Sequence, residues 1–456
     1  MKKMLSLLVS TALTASLIAG CSGGQPGNSA APSQTSTPSA TAGTETPSAS
    51  KDPVTLRFMW WGGDQRHQAT LEVIDKFVEA NPHVTIEPEY SGADGYLEKL
   101  SIQLYSGTAA ELIQNGPGWI PDFMNKGDFF VDLYQYQEKI DLTGFDPEFL
   151  KNTSVYNDKL VGLPSGIAGP AFLVNTTLTQ KAGIDLSKDL TWDSLIDAGK
   201  ALQAYDSSKY LMNVDTPTIV TSIIRPYILQ LTGNTFIVDE TKQMGFTREE
   251  LVQSLTYLKT LYDEKVFQPA SASTAFKNNP STNPKWIAGD FASAFCVSST
   301  VNTFTSASPD MEFDVVVPPL MTDRKDDGFY ANPPQLMCIP KTVESNSNKL
   351  DAALSFYDYF FNDNASALIL KDVRSVPAVE SARNLSVENN FIQPIVTKAV
   401  EFGLALNGTN EMGLTTSAEI DTIIVDMIEK VAYGTAPVEQ IADESIKLIQ
   451  DVLANQ

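Results

Sequence analysis

Residues 54–86 read VTLRFMWWGGDQRHQATLEVIDKFVEANPHVTI, and this stretch decides the fold class. Residues 54–60 are mostly β-branched, apolar or aromatic, a composition typical of a buried strand. Gly62-Gly63 then breaks the extended run, because two glycines have no side chain to pack on a sheet. The stretch therefore predicts a strand that ends in a sharp turn.

A helix and a second strand are expected directly after this turn. Apolar residues between 71 and 78 recur at the spacing of one helical face, and Asp64 is placed to cap the helix. Asn81-Pro82 predicts the end of the helix, and residues 84–86 alternate as a strand does. Strand, helix and strand in succession predict a parallel βαβ unit, and hence an α/β fold with mostly parallel sheets.

The same pattern continues along the chain. A helix is predicted between Asp94 and Gly107, and residues 111–114 are typical of a short strand. Further helices are predicted over residues 192–202, 249–262, 349–361 and 420–432, and further strands over residues 313–317 and 336–339.

Composition excludes several classes of protein. The 456 residues are 43% hydrophobic and 19% charged, which is a globular balance, and a chain of this length is expected to form two or three domains. The net charge of −23 offers no basic surface for nucleic acid. Three cysteines cannot build a disulfide framework, and two histidines, His67 and His83, leave little material for a histidine-based metal site.

The first 52 residues differ from the rest in composition. A positively charged start and an apolar run predict a signal peptide over residues 1–20. Ile18-Ala19-Gly20-Cys21 resembles the lipobox of bacterial lipoproteins, in which the cysteine carries a lipid; the alternative is an ordinary signal peptide with an incidental cysteine. Residues 21–52, rich in Ser, Thr and Pro, predict a disordered tether. The expected location is the outer face of the cell membrane, lipid-anchored, with the charge at −25 once Lys2 and Lys3 are removed.

The turn over residues 60–67 is the strongest candidate for a binding site. It lies between a parallel strand and a helix, and α/β proteins bind ligands at that edge of the sheet. Neighbouring residues of a strand point to opposite faces, so one of Trp60 and Trp61 is expected to reach the surface. An exposed indole offers a flat apolar face to a sugar ring. The alternative is that both tryptophans belong to the core.

Arg66 and His67 fall in the first turn of the predicted helix, where positive charge opposes the helix dipole. The compensating charge is expected from Asp64 or from a ligand. Together with the backbone amides of the turn, the two side chains suit a carboxylate or a cluster of hydroxyls. The alternative is a surface ion pair with Asp64 or Glu72.

A second turn, Asn115-Gly116-Pro117-Gly118-Trp119, follows another predicted strand at the same edge. Its tryptophan is either an exposed aromatic or packs against the next helix. Arg374 lies in a turn after a helix, where it either pairs with a ligand or caps that helix. Trp192, at the start of a helix, is expected to be structural.

The sequence carries no motif for catalysis or for a cofactor. No pair of carboxylates stands out as an acid–base couple, and phosphate-binding glycine loops, the nucleophile elbow and calcium-loop spacing are absent. We therefore expect no cofactor and no metal. Cys296 and Cys338, both in apolar runs, are expected to be buried thiols, with a disulfide as the alternative.

Taken in order, these segments resemble the extracellular solute-binding proteins of family 1. These are the carbohydrate receptors of bacterial ABC importers, of the same broad class as maltose-binding protein. Besides the lipobox, the matching stretches are residues 58–67, 156–164, 191–193, 288–295, 351–365 and 373–377. The sequence departs from the family pattern at Asp158 and Ser375, where glycine is usual.

The resemblance implies a periplasmic-binding-protein-like fold with two α/β lobes that close on a ligand about a hinge. Lobe 1 would comprise residues 53–167 and 337–385, and lobe 2 residues 168–336 and 386–456. The candidate ligand-binding residues are then Trp60, Trp61, Asp64, Arg66, His67, Asn115, Trp119, Arg225, Ser298 and Arg374. The implied partners are an oligosaccharide and the permease subunits of an ABC importer, served by a monomeric receptor.

Residues 60–67 and 94–100 are most similar to members that take oligogalacturonides, so Arg66 and His67 would meet uronate carboxylates. Gly116-Pro117-Gly118 departs from those members, which have a loop rich in Asn and Trp there. We therefore expect a lipid-anchored receptor that captures an oligosaccharide for import without turning it over. The alternatives are an extracellular carbohydrate-active hydrolase, which needs two carboxylates across a cleft, and an adhesion or sensor lipoprotein of the same fold.

Overall fold

The opening strand–helix–strand unit forms as the sequence predicts. In the computed structural model, which describes residues 52–188 and 190–455, β1 (Val54–Trp61) pairs in parallel with β2 (Val84–Ser91), and α1 (Asp64–Ala80) connects them. The capping prediction is wrong: Gly63 occupies the N-cap, and Asp64 is the first helical residue. The predicted signal peptide, Cys21 and all of the tether except Asp52 lie outside the described residues.

Most predicted elements are present, and several short ones are new. The remaining strands are β3 Leu112–Asn115, β4 Val155–Tyr156, β5 Lys159–Leu160, β6 Leu163–Pro164, β7 Pro170–Asn175, β8 Tyr210–Asn213, β9 Ile237–Val238, β10 Gln243–Met244, β11 Phe291–Val297, β12 Phe313–Val316 and β13 Leu336–Cys338. The remaining helices are α2 Tyr96–Ser106, α3 Ile120–Lys126, α4 Pro147–Ser154, α5 Thr176–Ala182, α6 Trp192–Tyr205, α7 Thr216–Ile219, α8 Arg225–Thr232, α9 Arg248–Asp263, α10 Ala270–Ser273, α11 Pro284–Ile287, α12 Val301–Ala307, α13 Ser347–Asn362, α14 Asn364–Leu370, α15 Glu380–Glu388, α16 Pro394–Ala405, α17 Ala418–Tyr433 and α18 Val438–Leu453.

The first sheet, sheet 1, has the strand order β2-β1-β3-β13-β6. Strand β13 alone runs against the others, because it pairs antiparallel with both of its neighbours. The carboxyl ends of β1, β2, β3 and β6 therefore share one edge. Helices α1 and α13 cover one face of the sheet, and α2 and α3 cover the other.

The second sheet, sheet 2, has the order β12-β7-β11-β8, and β7 alone is reversed. Helix α16 packs on one face, while α6, α8, α9 and α17 enclose the core on the other. Both sheets are thus mixed, and most strands of each run in one direction, as expected. Antiparallel pairings nevertheless equal the parallel ones in sheet 1 and outnumber them in sheet 2.

Three chain segments connect the two sheets and lie beside one another. Residues 165–169 lead from β6 to β7, and Ala168 forms a bridge with Asn332 of the segment between β12 and β13. Ile167 forms a bridge with Val376 of the segment between α14 and α16. The packing is close enough to require glycine: a Cβ on Gly166 would lie 2.2 Å from the carbonyl oxygen of Arg374.

The two described cysteines do not pair. Cys296 lies in β11 and Cys338 in β13, which belong to different sheets, and both are free thiols. Cys338 is buried and Cys296 is partly buried. Burial raises the pKa of Cys296 to about 12, so its thiol is not a reactive thiolate at neutral pH. The alternative of a disulfide between Cys296 and Cys338 is wrong, because both thiols are free.

Candidate functional site

The carboxyl edge of sheet 1 brings together the two turns singled out in the sequence. Strand β1 ends at Trp61, and the parallel strand β3 ends beside it at Asn115. Strand β2 ends at Ser91 on the other side of β1. Residues of three successive turns therefore meet at the edge where α/β sheets present their ligand sites.

Trp60 and Trp61 point to opposite faces of the sheet, as the alternation of a strand requires. Trp60 is fully buried, with its ring 4.8 Å from Phe58 and 5.1 Å from Tyr90. Its inclusion among the ligand contacts is therefore wrong for this conformation. Trp61 is only partly buried, on the side of α2.

Trp61 and Trp119, here called the indole pair, form the main apolar surface of the site. Their ring centroids are 5.1 Å apart, and Trp61 also lies 4.8 Å from Tyr96. Trp119 folds back over Gly116, where a Cβ would come within 2.7 Å of the indole. Both indoles keep part of their surface exposed. The two ring planes are inclined by 40°, so each indole separately offers a flat face on which a sugar ring can stack.

His67 is held in one tautomer by its buried neighbour. The indole Nε1–H of Trp60 donates to Nδ1 of His67 over 3.0 Å. Because an indole nitrogen can only donate, Nδ1 carries no proton and the neutral ring bears its hydrogen on Nε2. Burial lowers the pKa of His67; Asp64 opposes this, while Arg66 and Arg374 reinforce it. His67 thus provides a neutral N–H donor.

Tyr90 is a site residue that the sequence analysis missed. It stacks on His67 at 4.4 Å between centroids and is 47% exposed. Tyr90 is the β2 residue that pairs with Trp60. This strand register is visible in the structure but not in the sequence, so no local pattern indicated Tyr90.

Arg66 has no acidic partner among residues 52–188 and 190–455. Its Nε donates to the carbonyl of Val373 over 3.1 Å, and its Nη1 donates to the carbonyl of Trp61 over 3.2 Å. The alternative of an ion pair with Asp64 or Glu72 is therefore wrong. Burial lowers the pKa of Arg66, because the charged guanidinium has lost water without gaining a carboxylate.

Arg374 lies behind Arg66 and is almost completely buried. Its Nη2 donates to Oγ1 of Thr70 over 2.8 Å, and its guanidinium lies 5.4 Å from the ring centroid of Phe360. Its Nε and Nη1 have no protein partner. Burial, followed by repulsion from Arg66, lowers the pKa of Arg374 to about 9. Neither expectation for Arg374 holds here: it does not cap the helix, and it is too deep to contact a ligand directly.

Three further candidates are also buried in this structure. Asn115 is fully buried at the end of β3. Ser298 accepts a hydrogen bond from the backbone N–H of Gly169 over 3.1 Å, so it fastens the connecting segment. Arg225 pairs with Asp421 and donates to the carbonyl of Thr415 over 2.6 Å. Ser298 and Arg225 are thus engaged by the protein itself, whereas both polar atoms of the Asn115 amide are buried without a protein partner. None of the three side chains is exposed for direct contact with a ligand in this conformation.

Of the predicted set, Trp61, Asp64, Arg66, His67 and Trp119 lie at the surface or partly buried at one sheet edge. In the described part of the chain, no cluster of three or more His, Cys, Asp or Glu side chains could hold a metal ion. None of the described helices combines the length and the apolar character needed to span a bilayer.

A family model described as bacterial extracellular solute-binding protein matches residues 72–397. The chain belongs to this family. The matched region contains α1 after its first turns, both sheets beyond β1, and the three connecting segments. The resemblance noted in the sequence is therefore confirmed, and the two sheets are those of the family's two-lobed fold.

Individual proteins that this chain resembles are also described as binding proteins. A Brucella abortus (strain 2308) protein named as a binding protein is 27% identical over 205 residues, 45% of this chain; the chain spans about half the length of that relative, 49%. A periplasmic oligogalacturonide-binding protein of Yersinia enterocolitica superimposes with a TM-score of 0.67 in its complex with saturated digalacturonic acid, at 26% identity, covering 88% of this chain and 99% of that chain. A second structure of the Yersinia protein gives 0.75 at 25% identity.

The same fold also occurs in a de novo designed cysteine esterase. It superimposes with a TM-score of 0.80 at 26% identity, covering 89% of this chain and 99% of that chain. The esterase activity of that protein was introduced by design.

Proposed function

We propose that this protein captures an oligosaccharide outside the cell and delivers it, chemically unchanged, to the permease of an ABC importer. The observation that carries the proposal is the indole pair, Trp61 and Trp119, partly exposed at the carboxyl edge of sheet 1. A solute-binding protein with two adjacent, partly exposed indoles at this position has the aromatic surface on which sugar C–H faces stack.

We further propose that the two lobes follow the division expected from the sequence, residues 53–167 with 337–385 and residues 168–336 with 386–456. The three connecting segments would then act as the hinge, and closure would bring lobe 2 over the indole pair. A monomer suffices for this mechanism, because both lobes belong to one chain.

The charges of the site favour an acidic saccharide. Arg66 and Arg374 lie close enough for their charges to repel, and no described carboxylate compensates either of them. Burying a positive charge without a partner is costly, so a ligand carboxylate near Arg66 would relieve part of this cost. The relative that binds saturated digalacturonic acid supports a uronate ligand for this chain as well.

We propose that a lipid attached to Cys21 anchors the protein to the membrane. A lipid on this residue would hold the protein at the outer face of the membrane, and the Ser/Thr/Pro tether would let it reach the permease. Cys21→Ser should abolish labelling by radioactive palmitate and release the protein from the membrane fraction. Equal labelling of both forms would reject the anchor.

The binding proposal can be tested by calorimetry with uronate-containing and neutral oligosaccharides. Arg66→Gln should weaken uronate binding at least tenfold and neutral-sugar binding much less, because a uronate would lose its charge partner. The matched control is Arg248→Gln, which removes an equal charge from an exposed pair with Asp443. Absence of saccharide binding by the unaltered chain would reject the proposed function.

Capture without turnover is part of the proposal. The exposed acids of these turns, Asp64 and Asp94, would take no part in chemistry, whereas glycoside hydrolysis needs two carboxylates held across a cleft. Chromatography should recover the bound oligosaccharide intact after prolonged incubation. Cleavage products that disappear in the Trp61→Ala variant would favour the hydrolase instead.

A further inference from the structure

A second concave site lies at the edge of sheet 2. A cavity of about 390 Å³ opens beside the carboxyl ends of β8 and β11, within the roughly 300–1,000 Å³ typical of small-molecule sites. Its wall comes from residues 215–222, 278–281 and 295–304.

The wall of this cavity lacks positive charge. It contains hydroxyl and amide groups but no Lys, Arg or His, and Lys277, the adjacent basic residue, is not part of it. The one carboxylate, Asp215, is already occupied: Oδ1 accepts from the backbone N–H of Thr218 over 3.0 Å, and Oδ2 accepts from that of Asn278 over 2.6 Å. The cavity can therefore bind hydroxyls but cannot neutralise an anion.

The backbone at the cavity is unusual. Residues Val220–Ile224 form a π-helical turn between α7 and α8, and Thr221 and Ser222 of this turn line the cavity. Such turns are rare and are often found at functional sites. In the described structure, the side chains of Ser222 and Asn279 make no internal hydrogen bond, which leaves their polar atoms available to a ligand.

The apolar part of the wall suits a sugar ring. Val297 is 46% exposed on this wall beside the hydroxyl and amide groups, whereas Phe295 and Phe304 also line it but are almost fully buried. A pyranose has this combination of an apolar C–H face and a rim of hydroxyls.

This cavity and the edge of sheet 1 lie at the two ends of one short connection. Pro164 and Asn115 both pair with Leu336 at the edge of sheet 1, and Pro170 pairs with Val297 at the edge of sheet 2. The five residues 165–169 between these edges can span at most about 18 Å. The indole pair lies further along sheet 1, at the ends of β1 and β3, so a ligand that engages both edges would need several sugar units.

We propose that the ligand is an oligosaccharide of mixed charge, with a uronate against Arg66 and His67 and a neutral pyranose in the sheet 2 cavity. This inference rests on the proposed function and specifies its substrate class. Basic side chains occur at the first edge and not in the second wall, so a saccharide charged at every unit would bury a carboxylate without a partner.

Calorimetry on the full-length chain with four tetrasaccharides tests this. The probes are a tetrasaccharide with uronates at one end and neutral pyranoses at the other, tried in both orders, an all-uronate tetrasaccharide, and a neutral tetrasaccharide. The better mixed tetrasaccharide should bind at least tenfold more tightly than the all-uronate and the neutral ones. An all-uronate tetrasaccharide that binds as tightly as the mixed ones would overturn the inference while leaving the proposed function intact. Failure of all four to bind would reject the proposed function itself.

A charge introduced into the cavity provides a second readout. Ser222→Lys should raise the affinity for the all-uronate tetrasaccharide relative to the better mixed tetrasaccharide by at least fivefold. The control Thr256→Lys adds the same charge on the exposed face of α9, away from the cavity, and should leave the ratio unchanged. If Ser222→Lys also leaves the ratio unchanged, the cavity does not hold the second sugar.

Discussion

At the scale of single residues, two neighbouring tryptophans have different roles because strand geometry separates them. Trp60 supports the site from the core and fixes the tautomer of His67, while Trp61 presents its face outside. The sequence predicted that one of the pair would be exposed. It could not tell which one, because that depends on which face of β1 the helices cover more completely.

Replacing Trp61 by alanine should weaken saccharide binding by about 1–3 kcal/mol, because the stacking surface is lost. Calorimetry measures the affinity, and urea denaturation reports whether the fold survives. Tyr205→Ala, which removes an exposed aromatic at the end of α6, is the control and should leave binding unchanged. Unchanged affinity in Trp61→Ala would remove this residue from the site.

Trp60→Phe should raise the pKa of His67. Without the indole donor, Nδ1 becomes free to take a proton, so the charged ring is less disfavoured. An NMR titration can follow this directly in a His83→Gln background, where His67 is the remaining histidine of the sequence. Phe58→Leu disturbs the packing around Trp60 but keeps its N–H, and should leave the pKa nearly unchanged. A similar rise in both variants would contradict this explanation.

At the scale of elements, the long amphipathic helices were predictable and the short strands were not. Helices α6, α9, α13 and α17 match their predictions closely because their apolar spacing extends over several turns. Strands β4, β5 and β6 have two residues each, too few to show alternation. The buried positions of Arg225 and Ser298 depend on contacts distant in sequence, such as Asp421 and Gly169, which no local pattern reveals.

Both departures from the family's glycine pattern fall at left-handed residues. Asp158 has φ 60° in the β4–β5 turn, and Ser375 has φ 75° beside the connecting segments. Ser375 compensates by donating its hydroxyl to the carbonyl of Ile167 over 2.8 Å. Asp158 is exposed, so fewer contacts compensate for the strain of its left-handed backbone conformation.

Asp158→Gly should therefore stabilise the protein by up to about 1 kcal/mol, because glycine adopts positive φ without a Cβ penalty. Asp158→Val should destabilise it, since a β-branched residue tolerates this conformation poorly. Urea denaturation of the three proteins gives the order. A loss of stability in the glycine variant would mean that the aspartate contributes more than its backbone strain costs.

At the scale of the whole molecule, the loop before α17 contains a buried acid close to a contact between the two parts of the fold. Glu411 donates its backbone N–H to the hydroxyl of Tyr330 over 3.1 Å, and the Tyr156 hydroxyl lies 3.3 Å from Sδ of Met412. Burial raises the pKa of Glu411 to about 7, although Arg225 acts against this. The folded protein thus holds this proton more tightly than the unfolded chain.

Stability should consequently fall as pH rises from the unfolded value of Glu411 through about 7, where the folded carboxyl ionises. Glu411→Gln cannot ionise, so the variant should be more stable than the unaltered protein at pH 8, by up to about 3 kcal/mol, and similar to it near pH 4.5. Thermal or urea unfolding across this range gives both curves. Parallel curves would show that Glu411 is already ionised in the folded state.

The position of β13 affects the order in which this protein can be assembled. It lies between β3 and β6, both of which are synthesised by residue 164, yet β13 itself ends at residue 338. Until then β6 has no strand of sheet 1 to pair with and β3 pairs on one side only, with β1. Long-range pairing of this kind slows folding. For a polypeptide predicted to carry a signal peptide and to leave the cell, this delay is useful, because the leading half cannot complete its sheet before the trailing half has been made.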